Sequence, residues 1–403
     1  MDSKKAISLA AVTVIAILSS YATSGILSEV ERSALVVLVI AAGLWTTEAV
    51  PLVATSFIIP LLQTLMGIQS FKAALTPFFD PVVMLLLGGF LLALAVEKND
   101  LDEFFAYQMI SKFKADARFM VLIFMVTTAL LSMWISNTAS TALMLTMALR
   151  LTETVKDKRG NFSKIIVLSI AYSATAGGLS TLVGTTTCAM AAGFLKDMIG
   201  YEITFLGWMG FGLPITLLMV LTIWVVLLAI FPIDVEEITS LSIHRKPLTE
   251  KGRHTLVVFI FSILLWITGK LPEPLAQALG WPGHGLSSSV VAGIIAVLLF
   301  ASDIIDERDL GRANWSTLLL IGGGLSLGGA LDVSGLVLRI SDSLMLLTGG
   351  RPEIVTIALV AVFGLGISIF ASNTASAGIL LPIAISLGST TSISPIILAV
   401  VIG

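Results

Sequence analysis

Five residues, Ser136-Asn137-Thr138-Ala139-Ser140, return 236 positions later as Ser372-Asn373-Thr374-Ala375-Ser376. A serine stands four residues before each copy, at Ser132 and Ser368. An asparagine carboxamide offers an oxygen to a cation and an NH₂ to an anion, and serine or threonine hydroxyls serve either. Free N–H groups at a helix start suit a carboxylate, and free carbonyls at a helix end suit Na⁺. Each copy lies midway along an apolar stretch, 119–150 and 352–387. Polar groups at that depth are costly unless they are paired or line a cavity. Interruptions at corresponding places in two halves of a chain mark the binding site of a transporter. Helix packing or back-bonding to carbonyls explains one isolated Ser-Asn-Thr. It does not explain two copies that both keep the upstream serine.

No Lys, Arg or His lies near either tip or in the interruption Gly184-Thr185-Thr186-Thr187. A multiply charged anion bound there needs another positive charge, and a bound Na⁺ supplies it. Proton coupling would need Asp, Glu or His at the tips, where none stands.

These tips need helices that cross a bilayer, and the composition supplies them. Of 403 residues, 56% are hydrophobic and 12% charged, about half the usual share of charge for a soluble domain. The chain reads as an all-α polytopic membrane protein in a lipid bilayer. Spans are expected at 6–24, 33–46, 50–66, 81–96, 205–231, 255–268, 290–301 and 315–331. The short stretch with Glu29, Glu31 and Arg32 reads as a loop, and 98–118 as an interfacial segment. Segments 165–182 and 188–198 form a pair broken at Gly184–Thr187, and 119–150 reads as two half-helices meeting at a re-entrant tip. Residues 234–253 form the seam between halves, and 393–403 begin a further helix. Nothing in the N-terminal apolar run marks a cleavage site, so it reads as a first span. Residues 395–403 stop inside an apolar run, so the sequence reads as ending before the natural protein does.

The repeat extends beyond the tips. Leu87-Gly88-Gly89 and Ala95-Val96-Glu97 correspond to Gly322-Gly323-Gly324 and Ala330-Leu331-Asp332 at an offset of 235. With the N-terminus inside, and each Ser-Asn-Thr segment returning to its own side, 17 of the 23 Lys and Arg fall inside. That bias gives a cytoplasmic N-terminus and places the tips on opposite sides, an inverted repeat. The expected division is 1–116 for first-half scaffold helices and 117–232 for the first-half transport hairpin and helices. Residues 233–350 are the connector and second-half scaffold, and 351–403 the second-half transport hairpin and the start of a further helix.

The chain resembles the divalent anion/sodium symporter family, which includes sodium-coupled dicarboxylate and citrate transporters. The matching phrases are Thr47-Glu48-Ala49-Val50-Pro51, Asp80-Pro81, Leu87-Gly88-Gly89-Phe90, Ala95-Val96-Glu97-Lys98, Ser132-Met133-Trp134-Ile135-Ser136-Asn137-Thr138 and Ile321-Gly322-Gly323-Gly324. The resemblance implies two re-entrant hairpins, a homodimer and an elevator motion of a transport domain against a scaffold. By similarity one Na⁺ would sit among Ser132, Ser136, Asn137 and the Gly184 carbonyl, and a second among Ser368, Ala371 and Asn373. Asn137, Thr138, Asn373 and Thr374 would hold substrate carboxylates, with Thr185 lining the pocket. Thr187-Cys188 stands where the family often has Pro-Asn, which bears on selectivity. A second break and a final helix would follow residue 403.

The expected function is Na⁺-coupled transport of C4-dicarboxylates such as succinate, malate and fumarate across a prokaryotic-type plasma membrane. The alternatives are an exchanger of the same fold, a sulfate or citrate transporter, or a non-transporting membrane scaffold. A membrane hydrolase would need a serine with a His or Lys partner in the membrane, and the sequence offers none. Cys188 reads as a small buried filler. His244, His254 and His284 share no metal spacing, and nothing suggests nucleic acid as a partner.

Overall fold

The computed structural model describes residues 3–111, 116–154, 160–233, 247–348 and 352–403. Among the described residues there is no strand. The helices are α1 Ser3–Ala22, α2 Glu29–Thr47, α3 Leu52–Leu65, α4 Phe71–Leu75, α5 Pro81–Lys98, α6 Leu101–Ser111, α7 Ala117–Ser132, α8 Asn137–Thr154, α9 Asn161–Gly178 and α10 Thr186–Ile199. They continue as α11 Phe205–Ile230, α12 Glu250–Ile267, α13 Glu273–Leu279, α14 Ser288–Ala301, α15 Glu307–Leu310, α16 Trp315–Val333, α17 Leu336–Thr348, α18 Glu353–Ser368, α19 Asn373–Thr390 and α20 Pro395–Ile402. Five segments are long and apolar enough to cross a bilayer: α1, α2, Phe71–Lys98, α11 and α16.

Local chemistry explains the helix starts. Ser28 and Glu31 form a reciprocal capping box at α2, so Glu29, Glu31 and Arg32 occupy its first turn rather than the loop expected from their charge. Asp80 accepts from the Val82 N–H at 2.7 Å ahead of Pro81, an arrangement that starts α5 as a capping side chain followed by proline. Asn314 caps α16 in the same way through the Thr317 N–H.

The duplication extends through the helices. Hairpin α7–α8 and hairpin α18–α19 have boundaries displaced by 236 residues at all four ends, 117 to 353, 132 to 368, 137 to 373 and 154 to 390. Helices α3 and α14 keep the same displacement, 52 to 288 and 65 to 301.

The chain folds as two compact units, each built from pieces of both halves. One comprises Met1–Met84, Thr186–Ile203 and Asn314–Gly403, and the other Leu85–Thr185 and Thr204–Ala313. In the first unit α16 packs on α3 and α19. A Cβ at Gly323 would come within 2.6 Å of the Ser56 Cβ, so only glycine allows this approach of α16 to α3. In the second unit a Cβ at Gly88 would come within 2.6 Å of the Ala292 carbonyl oxygen on α14. Positions 88 and 292 are the repeat partners of 323 and 56. Each half's glycine helix therefore packs against the α3-type helix of the other half, as a two-fold internal repeat requires.

The first unit also holds a buried polar network. Gln63, fully buried on α3, donates to the Ser326 carbonyl at 3.1 Å. Ser326 donates to the Ala74 carbonyl at 2.7 Å. Satisfied polar groups in an apolar core fix register, here among α3, α4 and α16.

In the second unit α7 packs along α9, with α6 and α11 also against α7. Helix α6 buries Leu101, Asp102, Ala106 and Ile110. Lys98 forms an ion pair with Asp309, and this ammonium holds the Asp309 carboxyl below the usual carboxylate range.

Candidate functional site

Tip one lies in the second unit. Helix α7 ends at Ser132 and α8 begins at Asn137, so the polar phrase is the turn between two half-helices. Ser136 accepts from the Ala139 N–H at 3.2 Å and caps α8. Asn137 and Thr138 thereby occupy the first turn, where N–H groups are free. Ser132, fully buried, places its Oγ 2.7 Å from Asn137 Oδ1 and 2.7 Å from the Ala174 carbonyl oxygen. Three oxygens are thus crowded together with a single hydroxyl hydrogen among them, which Ser132 shares between two acceptors. Such a cluster suits a small hard cation.

A broken helix closes on this tip. Helix α9 ends at Gly178, and α10 starts at Thr186. Thr181 bridges break and tip: it donates to the Met133 carbonyl at 2.6 Å and accepts from the Gly184 N–H at 3.0 Å. A Cβ at Gly178 would meet Asn137 Oδ1 at 2.5 Å. A Cβ at Gly184 would meet the Gly178 carbonyl oxygen at 2.5 Å. The absence of side chains there lets backbone approach the oxygen cluster. Of the expected residues, Ser132 and Asn137 are thus in contact, and Gly184 is linked to them through Gly178 and Thr181. Ser136 and Thr138 are exposed, and Thr185 is half-buried.

Trp134 in the turn stacks on Phe205 of α11 at 6.0 Å and 15° and on Trp266 of α12 at 6.4 Å and 17°. Phe205 and Trp266 stack on each other at 5.0 Å.

Tip two lies in the first unit. Ser372 caps α19 by accepting from the Ala375 N–H at 3.2 Å, repeating the role of Ser136. Thr374 shares a 2.9 Å hydrogen bond with Thr186, the first residue of α10. Two helix starts with their hydroxyls therefore meet, an arrangement suited to an oxyanion. Ser368 differs from its repeat partner Ser132: it donates to the Leu365 carbonyl at 3.1 Å and is half-buried. Ala371 is half-buried, and Asn373 is exposed.

The bounds of the first break are corrected here. The first break runs from 179 to 185 rather than 184 to 187, because α9 ends at the small residues Gly177-Gly178. Thr187 and Cys188 lie buried inside α10. Thr186, directly after the break, is the residue that meets Thr374. Cys188 is fully buried, as expected of a filler. His284 joins the Leu265 carbonyl and the Leu286 N–H in a connector, and His244 lies outside the described residues. Among the described residues no cluster of three His, Cys, Asp or Glu could hold a metal. Thr181 and Gly178 were not singled out by sequence. The signal for them was the small-residue run 176–178 ahead of the break.

Half-helix tips in an all-helical chain with apolar segments of membrane length point to a transporter. The comparisons name the group: a model of the citrate transporter family, CitMHS, matches residues 35–403, and the chain belongs to that family. A transporter of Haemophilus influenzae described as uncharacterized is 33% identical, over 92% of this chain and 80% of that protein. The sodium-dependent dicarboxylate transporter SdcS of Staphylococcus saprophyticus is 30% identical, over 88% of this chain and 73% of that protein. The YdaH transporter of Alcanivorax borkumensis shares the fold, with a TM-score of 0.57 at 16% identity over 83% of this chain and 74% of that one. The resemblance to sodium-coupled dicarboxylate and citrate transporters is borne out, and the protein is an integral membrane transporter rather than an enzyme.

Proposed function

We propose that the protein is a Na⁺-coupled symporter of C4-dicarboxylates. The observation that carries this reading is the cluster of Ser132 Oγ, Asn137 Oδ1 and the Ala174 carbonyl around one hydroxyl hydrogen. Oxygens crowded without a cationic side chain are stabilised by a bound cation, and Na⁺ fits a neutral oxygen set. Ser132, Ser136, Asn137 and Gly184 are proposed for the first Na⁺, and Ser368, Ala371 and Asn373 for the second. Asn137, Thr138, Asn373 and Thr374 are proposed to hold the substrate carboxylates, with Thr185 at the wall. The substrate class is supported by the SdcS relative, named as a sodium-dependent dicarboxylate transporter. Bound Na⁺ supplies the positive charge that these residues lack, so anion and cation each raise the affinity for the other.

The same reading carries the domain division at 116/117, 232/233 and 350/351, re-entrant hairpins, an elevator motion and a homodimer. It also carries a prokaryotic-type plasma membrane with the N-terminus inside, for which the support is the Lys and Arg bias.

The test is uptake of labelled succinate into proteoliposomes. One set carries an inward Na⁺ gradient, and the other carries no gradient but unlabelled succinate inside. Gradient-driven accumulation is expected. Uptake that needs internal succinate and ignores Na⁺ would make the protein an exchanger. No uptake in either set would move the search to sulfate and tricarboxylates.

A further inference from the structure

Helix α11 is apolar almost throughout and exposes Leu213, Leu217, Leu218 and Leu221. Its buried stripe includes Trp208, Gly212 and Thr216, spaced four residues apart, so the three share one helix face. That face meets the last turn of α9 and the start of the first break. Trp208 Nε1 donates to the Leu179 carbonyl at 3.0 Å. Thr216 Oγ1 donates to the Ala176 carbonyl at 2.7 Å and accepts from Ser180 Oγ at 2.8 Å. A Cβ at Gly212 would lie 2.8 Å from the Leu179 carbonyl oxygen and 3.0 Å from that of Ser180.

A helix that ends within a membrane leaves its last carbonyls without intrahelical partners, and lipid offers no replacement. Two of the carbonyls at the end of α9 find donors on α11, from the one threonine and one indole of its buried stripe. Glycine between them lets the break come close. The first residue of the same helix, Phe205, stacks on Trp134 of the tip. One helix therefore holds both partners of the Thr181 bridge, the tip through Phe205 and the break through Trp208, Gly212 and Thr216. The geometry points to Trp208 and Thr216 as positioning residues. They touch no proposed ligand, but they hold 179–185 in the shape that joins Thr181 to the Met133 carbonyl of the tip and Gly184 to Thr181 and Gly178, the glycine that borders Asn137. This inference rests on the Na⁺-coupled reading for its functional consequence and on geometry alone for its structural one.

The test pairs two readouts on the purified full chain. The variants are Thr216→Val, which keeps the shape and deletes the hydroxyl, Thr216→Ser, which restores it, and Trp208→Phe, which keeps a ring and deletes the N–H. Hydrogen exchange of a peptide covering 179–185 reads the break. Succinate uptake across a range of Na⁺ concentrations reads the site. Thr216→Val and Trp208→Phe are expected to speed exchange in that peptide and to raise the half-saturating Na⁺ concentration, each by about tenfold, the size of one buried hydrogen bond. Maximal uptake at high Na⁺ is kept, and Thr216→Ser behaves as wild type. Unchanged exchange at 179–185 in both deletion variants would overturn the inference whatever the transport result. Faster exchange with an unchanged Na⁺ half-saturation would overturn its functional half. A wild-type protein indifferent to Na⁺ while exchange still quickens in the variants would instead overturn the coupling reading and leave the support of the break standing.

Discussion

Ser132 and Asn137 show how much one side chain settles at this site. With the Asn137 carboxamide oxygen facing it, Ser132 Oγ has two acceptors at 2.7 Å and one hydrogen, so one oxygen pair is left short of a proton. Ser132→Ala removes one proposed Na⁺ ligand and is expected to raise the half-saturating Na⁺ concentration about 10- to 100-fold, the range for a contact to a charged group, while leaving expression and folding intact. A titration of succinate uptake with Na⁺ reads this directly. A second residue-scale expectation concerns Asp102 at the start of α6. Burial pushes its carboxyl up to about 6 from the usual 3.8, against a hydrogen bond from the Glu103 N–H that lowers it, with Glu97 and Glu103 adding to the rise. Between these two values the folded protein binds more protons than the unfolded one, so stability falls as pH rises through that window. The loss by pH 7 is at most about 3 kcal/mol. Asp102→Asn is expected to raise the melting temperature at pH 7.5 and to have little effect at pH 4. An equal shift at both would show that the carboxyl is not held neutral by burial.

Individual helices explain which features a sequence reader could see. The hairpins were legible because Ser-Asn-Thr names its own structure: serine caps the helix, and asparagine and threonine form its first turn, at both Ser136 and Ser372. The capping box of Ser28 and Glu31 was equally available, but the charges at Glu29, Glu31 and Arg32 masked it. The break at 179–185 was misplaced because Gly184-Thr185-Thr186-Thr187 looks like an interruption, whereas α9 ends at Gly178 and α10 takes in the last two threonines. Helix α17 was not anticipated between the spans, and neither was α13 inside a Pro- and Gly-rich connector. Helix α17 is amphipathic rather than uniformly apolar, and α13 is short, so neither stands out to a reading keyed to apolar runs of membrane length. The role of α11 could not be read at all, since Thr216 and Trp208 act on carbonyls whose positions only the fold supplies. The glycine helices give an element-scale prediction. Gly323→Ala is expected to destabilise the protein by about 1–3 kcal/mol through overpacking on Ser56. Adding Ser56→Gly is expected to recover much of that loss, and additive melting shifts in the double variant would contradict the packing of α16 on α3.

The whole molecule carries the two-fold logic. Equal displacement of hairpin boundaries and the paired contacts Gly88 to Ala292 and Gly323 to Ser56 show a repeat built into packing, not only into words of sequence. The two copies are not equivalent in detail. Ser132 is buried against Asn137, while Ser368 bonds its own helix and Asn373 is exposed. With one proposed Na⁺ at each tip, unequal tips predict unequal ion affinities, so that substitutions at Ser132 and at Ser368 are expected to shift the Na⁺ dependence of uptake by different amounts. The central claim is that both tips take part in carrying the anion with its cations. Its most direct measurement is gradient-driven succinate uptake by Asn137→Ala and Asn373→Ala in proteoliposomes, with folding checked by size-exclusion profile. The account predicts that each substitution alone abolishes uptake in a protein that remains well folded. Wild-type uptake by both variants would contradict it.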